Sequence, residues 1–129
     1  MASTKSGTED ADRWEAQLRK GCLEMAILAS LRKTRLYGVE ILRVLEGRSS
    51  LGMAEGTLYL ILSRLKSEGS VESEWVDAGT GHPRKYYWLT AAGRDRLRAQ
   101  ARFWVQFSAD IDALVDPALG RKEFARANR

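Results

Sequence analysis

Residues 55–90 read EGTLYLILSRLKSEGSVESEWVDAGTGHPRKYYWLT, and a change of period inside this stretch decides the fold. Leu58, Ile61, Leu62 and Leu65 recur at i, i+3, i+4 and i+7, the buried stripe of a helix running from about Ala54 to Glu68 and stopped by Gly69. Beyond Gly69 the period becomes that of a strand. Val71–Asp77 and Arg84–Thr90 are rich in β-branched and aromatic residues and flank a turn-forming segment, residues 78–83, with Gly79, Gly81 and Pro83. This pattern predicts an antiparallel hairpin with a glycine-rich tip. Two strands are not stable alone, so the hairpin must lie on helices, with Trp75, Tyr87 and Leu89 on its inner face.

Helical spacing also governs the chain on either side. Upstream, Trp14, Leu18, Cys22 or Met25 and Leu28 form one row and Leu23, Ile27 and Leu31 a second, which predicts a helix that needs cover on more than one side. Its end near Leu31–Lys33 carries Arg32, Lys33 and Arg35, suited to a helix C-terminus. A second helix fits Tyr37–Gly47, with Ile41, Leu42 and Leu45 inward and Gly47 as C-cap. Downstream, Thr90 is a good N-cap for a fourth helix, Ala91 to about Val115, which Asp116-Pro117 should end. The resulting fold class is mainly α with a small β-hairpin: a winged helix-turn-helix plus a long C-terminal dimerisation helix. Residues 1–12 read as a flexible arm, 13–90 as the winged helix-turn-helix, 91–115 as the dimerisation helix and 116–129 as a basic tail.

Composition narrows the function classes. The 129 residues include 44% hydrophobic and 29% charged side chains, the balance of an ordinary globular domain. One cysteine, Cys22, and one histidine, His82, leave no disulfide framework, no cysteine zinc cluster and little histidine chemistry. With no phosphate-cradling glycine loop and no pair of carboxylates in an apolar setting, no catalytic residue, metal site or cofactor is expected. The apolar runs are far shorter than the ~20 residues of a membrane span, and MASTKSGTED has no apolar signal core. A soluble, cytoplasmic protein with no membrane partner is therefore expected. The 21 Lys and Arg against 17 Asp and Glu give a net charge of +4, compatible with nucleic-acid binding and equally with an ordinary basic protein.

Several strings carry a resemblance. Leu18-Arg19-Lys20-Gly21 leads into the first helix, and Tyr37-Gly38-Val39-Glu40-Ile41 opens the second. Glu55-Gly56-Thr57-Leu58-Tyr59 opens the third, followed by Arg64-Leu65 and Glu68-Gly69. Pro83-Arg84-Lys85-Tyr86-Tyr87, Leu89-Thr90 and Gly93 complete the order. Together, over roughly Leu18 to Leu97, they resemble the PadR family of bacterial transcriptional regulators, and the single C-terminal helix resembles its shorter subgroup. The resemblance implies a homodimeric repressor bound to double-stranded operator DNA with inverted half-sites, in a family whose members respond to phenolic acids or planar drugs. Three positions depart from the pattern: Leu60 stands where the family often has proline, Ser70 where an apolar residue is usual, and Trp88 where arginine is frequent.

A helix in the major groove needs small or polar residues on its outer face. With the leucine stripe inward, Gly56, Ser63 and Ser67 point out with Leu60 between them, and Tyr59, Arg64 and Lys66 lie on the flanks. The predicted DNA-binding set is Gly56, Thr57, Tyr59, Leu60, Ser63, Arg64, Lys66 and Ser67 on the third helix, with His82, Arg84 and Lys85 on the wing. Solvated flank positions are the rival reading for Tyr59, Arg64 and Lys66, and a plain exposed loop or strand position for His82 and Lys85.

On the fourth helix Leu97, Trp104 and Ile111 are spaced by seven, with Phe107 and Leu114 in a parallel row and Ala101 at the edge. With Trp14 and Leu18 of the first helix they form the predicted dimer interface; the rival is that Trp104 and Phe107 fold back onto their own domain. Phe103, Trp104 and Phe107 near a two-fold axis would form a slot for a small planar aromatic effector, unless the indoles pack together and leave no gap. A winged-helix protein-interaction module that binds no DNA shares the fold; the basic wing and Tyr59 lean towards DNA.

Overall fold

A computed structural model describes residues 2–48, 50–77, 79 and 81–120. The order is α1 (Ala2–Ser30), β1 (Leu36–Tyr37), α2 (Gly38–Glu46), α3 (Glu55–Ser67), β2 (Val71–Val76), β3 (Arg84–Leu89) and α4 (Ala91–Leu119). The chain divides after Leu97 into two compact units, the second being Arg98–Arg129. The core of the first unit is built from Ile27, Leu28 and Leu31 of the α1 end, Ile41 and Leu45 of α2, Leu58, Leu62 and Leu65 of α3, and Val71, Tyr87 and Leu89 of the sheet.

Local chemistry sets the element ends. The Tyr37 N–H donates to the Glu40 carboxylate at 3.1 Å, which satisfies an orphan donor at the α2 start. At the α3 end, Gly69 adopts φ +79°, a left-handed conformation open to glycine at little cost. There the Gly69 N–H donates to the Lys66 carbonyl at 3.0 Å and the Ser70 N–H to the Leu65 carbonyl at 2.9 Å, a Schellman pair. The chain then enters β2 directly.

The structure corrects four expectations. Residues 2–12 are not an arm: they belong to α1. No proline interrupts them, and a helix held by its packed end adds one hydrogen bond per further residue. The hairpin is part of a three-stranded antiparallel sheet, β1-β3-β2, with Leu36 opposite Tyr87 and Tyr37 opposite Tyr86. Trp75 is not in the core. It has the inward parity, opposite Lys85 as Ser73 is opposite Tyr87, but it borders an open groove between wing and helices and is left 67% exposed. Gly47 is the C-cap of α2, as read, in right-handed backbone at φ −61°, with its N–H on the Arg43 carbonyl at 3.0 Å. Pro117 lies inside α4. A proline so near the C-terminus removes only one late hydrogen bond, and the helix closes three residues on at Gly120, φ +85°, whose N–H reaches the Asp116 carbonyl at 3.0 Å. Of the expected tail, residues 121–129 lie outside the described residues.

The α3–β2 turn and the α4 start are built as one joint. The Thr90 hydroxyl donates to the Gly69 carbonyl at 2.6 Å and accepts the Gly93 N–H at 3.0 Å, as an N-cap should. The Thr90 N–H donates to the Ser70 carbonyl at 3.1 Å, and Arg96 donates to the Ser70 hydroxyl at 2.9 Å. Ser70 is thus a buried polar residue with its bonds made, which gives the departure at this position a physical reason.

Candidate nucleic-acid interface

Turning Leu58, Leu62 and Leu65 into the core leaves Gly56, Tyr59, Leu60, Ser63 and Ser67 on the exposed side of α3. Leu60, 74% exposed, touches nothing that would explain a leucine there as a core residue. Tyr59 is not a free flank residue. Its ring lies over Gly38, where an added Cβ would stand 2.8 Å from Cζ and 2.9 Å from Cε1 and would meet the hydroxyl. Burial pushes the Tyr59 phenol above its ordinary value, and the Glu55 charge adds to this. Tyr87 is raised for the same first reason, with Tyr59 contributing. Both remain neutral hydrogen-bond donors up to strongly alkaline pH.

The two cations of α3 are engaged within the chain. Lys66 Nζ lies 2.8 Å from Ser73 Oγ and 3.9 Å from the Glu72 carboxylate, which ties α3 to β2. Arg64 belongs to a closed ring of four charges. It pairs with Glu24 at 3.3 Å and Glu68 at 3.5 Å, and Arg96 pairs with the same two carboxylates at 2.9 and 2.8 Å. The hydrogen bond to Glu68 is the main cause holding the Arg96 guanidinium above its ordinary value; partial burial opposes it and the Glu24 charge adds to it. The ring joins α1, α3 and the α4 start, so Arg64, like Lys66, has partners within the fold. Thr57 lies on the other flank, in a shallow groove with Arg19, Lys20 and Met53.

The wing supplies the charge that α3 lacks. Arg84 lies over the Tyr37 ring at 4.6 Å, and Lys85 lies 5.8 Å from the Trp75 ring and 5.9 Å from that of Tyr87. His82 is exposed at the tip, beside Gly79 and Gly81 at φ +81° and +76°. Trp88, where the resemblance led one to expect arginine, holds Arg35 over its ring at 4.0 Å, and Arg35 also pairs with Glu74 at 3.6 Å. Between wing and helices runs an open groove of about 620 Å³. Val39 and Arg43 of α2, Tyr59 and Ser63 of α3, and Trp75, Arg84 and Lys85 of the wing line it, and among the described residues no Asp or Glu does. Sequence reading missed Arg43, Tyr37 and Trp75. The spacing of Val39 and Arg43, i and i+4 on α2, was the available signal for the first.

The predicted interface residues divide. Leu97 is partly buried against the core of its own unit. Trp14 and Leu18 of α1 are exposed, as are Trp104, Phe107, Ile111 and Leu114 of α4. Phe103 and Phe107 stack with centroids 5.4 Å apart, and Trp104 lies 6.3 Å from Phe107. Among the described residues no group of three His, Cys, Asp or Glu side chains is placed to hold a metal, and no helix is long and apolar enough to cross a membrane.

Three helices, a wing packed on them and a long final helix define the winged helix-turn-helix class. A sequence model of the PadR-like family of transcriptional regulators matches residues 27–99, and the chain belongs to that family. Its members are transcriptional regulators, not enzymes, in agreement with the sequence reading. The chain is similar to a PadR-family regulator from Eggerthella lenta, 29% identical with a TM-score of 0.77 over 87% of this chain and 97% of that one. A PadR-like regulator from Bacillus cereus is 29% identical, TM-score 0.70, over 77% and 96%. Bacillus subtilis PadR, solved in complex with operator DNA, is 28% identical, TM-score 0.57, over 61% of this chain and 46% of that one.

Proposed function

We propose that this regulator is a cytoplasmic repressor that binds double-stranded DNA as a homodimer on an inverted-repeat operator. The observation that carries the reading is the meeting of the small, polar outer side of α3 with a groove whose wing side bears Arg84 and Lys85 and whose lining holds no carboxylate. Major-groove readout needs the first, and phosphate attraction the second. The operator complex of the Bacillus subtilis relative supports it. Gel shifts on DNA from upstream of the chain's own gene, at two salt concentrations, test it. Lys85→Ala should weaken binding about equally on all sequences and lower the salt slope by about one unit per protomer. Tyr59→Ala should change sequence preference. Unchanged affinity in both variants, with normal circular dichroism, would remove this face from the DNA and favour the protein-interaction module.

The exposed aromatic cluster Phe103, Trp104 and Phe107 further supports a small planar aromatic effector that binds between paired α4 helices and releases the DNA. Such a ligand acts only if it binds the released state better; each tenfold preference is worth ~1.4 kcal/mol. With Trp14, Trp75 and Trp88 replaced by phenylalanine, Trp104 fluorescence should quench saturably with a planar aromatic compound that also lowers DNA affinity. No saturable quenching across a varied panel retires the effector.

A further inference from the structure

Arg43 has no part in the core, and its neighbours on the groove are instructive. It reaches the groove from α2, Arg84 and Lys85 reach it from the wing, and the Tyr59 phenol and Ser63 hydroxyl come from α3. Arg64 and Lys66 have carboxylates within 4.0 Å, and so does Arg35. Among the described residues, Arg43, Arg84 and Lys85 have none. Three uncompensated cations from two different elements therefore converge on one open channel about 620 Å³ in volume, with neutral donors on the third wall. Trp75 adds a flat apolar surface, 67% exposed, beside Lys85.

This is the chemistry of a phosphodiester seat: fixed cations and neutral hydroxyls for the anionic oxygens, an indole face for the sugar, and no competing negative charge. The position agrees with the chemistry. If α3 enters a major groove and the wing tip the adjoining minor groove, the sugar–phosphate strand that separates those grooves must pass between α3 and the wing. We propose that this channel seats one DNA strand, with Arg43 clamping a single phosphate opposite Lys85 and Trp75 lying against the neighbouring deoxyribose. The inference rests on the DNA-binding reading and extends it to residues of α2 and β2. Arg43 is here a binding residue without base readout, so it sets the depth and register of α3 in the groove.

The test uses the full chain and a duplex it selects from a random pool. Arg43→Gln, at an exposed position, should keep the wild-type melting temperature. It should bind every duplex about tenfold more weakly per protomer and lower the salt slope by about one unit per protomer, and Arg43→Lys should restore most of that slope. Neutral methylphosphonates placed one at a time along a half-site supply the sharper readout. At one position the substitution should weaken the wild type about tenfold and leave Arg43→Gln unaffected. Wild-type binding with Arg43→Gln equal to it, or a methylphosphonate penalty that is the same for both proteins at every position, overturns the seat and leaves the DNA-binding reading standing. A wild type that selects no duplex overturns both.

Discussion

Replacing Gly93 by alanine is expected to destabilise the folded chain by about 3 kcal/mol, the upper end of what overpacking costs. A Cβ on Gly93 would collide with the Ser70 carbonyl oxygen and stand 2.9 Å from its carbon and 3.3 Å from its Cα. All three are backbone atoms, so no side-chain rotation relieves the clash. The carbonyl is also committed, accepting the Thr90 N–H at 3.1 Å. Lifting the first turn of α4 to make room would strain the Thr90 cap and pull Arg96 from Ser70 and from the four-charge ring. A loss of that size lowers the melting temperature by roughly 10–15 °C in a domain of this length. Gly21→Ala is the control: nothing lies within 4 Å of the added methyl, and alanine should stabilise α1 by about 0.5–1 kcal/mol. Melting of Gly93→Ala within 2 °C of the wild type would mean that the α4 joint is looser than its geometry implies.

That joint also marks the boundary of what the sequence makes legible. Thr90 as N-cap and Gly69 as the α3 stop are readable because each acts on residues within one turn of itself. The Leu58/Leu62/Leu65 stripe is readable for the same reason. The contact of Gly93 with Ser70 joins residues 23 apart and leaves no local trace beyond a glycine early in a helix. The cations behave alike. Arg64 and Lys66 have the spacing of a solvated flank, but Arg64 pairs with Glu24, 40 residues away, as well as with Glu68 one turn on, and the hydroxyl that Lys66 reaches is in β2. Charge pairing between elements is invisible to periodicity, so helix-face reasoning could not show that these two side chains also have partners within the fold. Arg43 was hidden for a related reason: α2 reads as a support for α3, and only the packed sheet shows that its Val39–Arg43 face borders the wing. Strand β1 escaped because two residues carry no period. Trp75 has the inward parity, but parity says nothing of whether a groove is left open beneath the strand.

The double substitution Trp104→Glu with Ile111→Glu is expected to convert the protein to monomers and to weaken operator binding by about 10²–10⁴-fold. In α4, Trp104, Phe107, Ile111 and Leu114 are all exposed, a run of large apolar side chains that a chain of this size rarely leaves in water without a partner. Their heptad spacing suits a second copy of the same helix about a two-fold axis, where each residue meets its own counterpart or near neighbour. Two glutamates per helix would bring like charges face to face in an apolar seam, a larger penalty than loss of packing alone. The effect on DNA follows from tethering. Two recognition helices read successive major grooves only if held ~34 Å apart. Once one half-site is bound, the second meets its subunit at an effective concentration near the millimolar range, and dissociation into monomers removes that gain. The variant should therefore match the wild type on a duplex carrying one half-site and fall behind it only when two are present. Sedimentation velocity reports the oligomeric state, and gel shifts on the two duplexes separate loss of pairing from damage to the DNA face. A dimer that survives both glutamates would place the interface elsewhere. Monomers that still bind two half-sites as tightly as the wild type would mean that pairing contributes nothing to operator recognition.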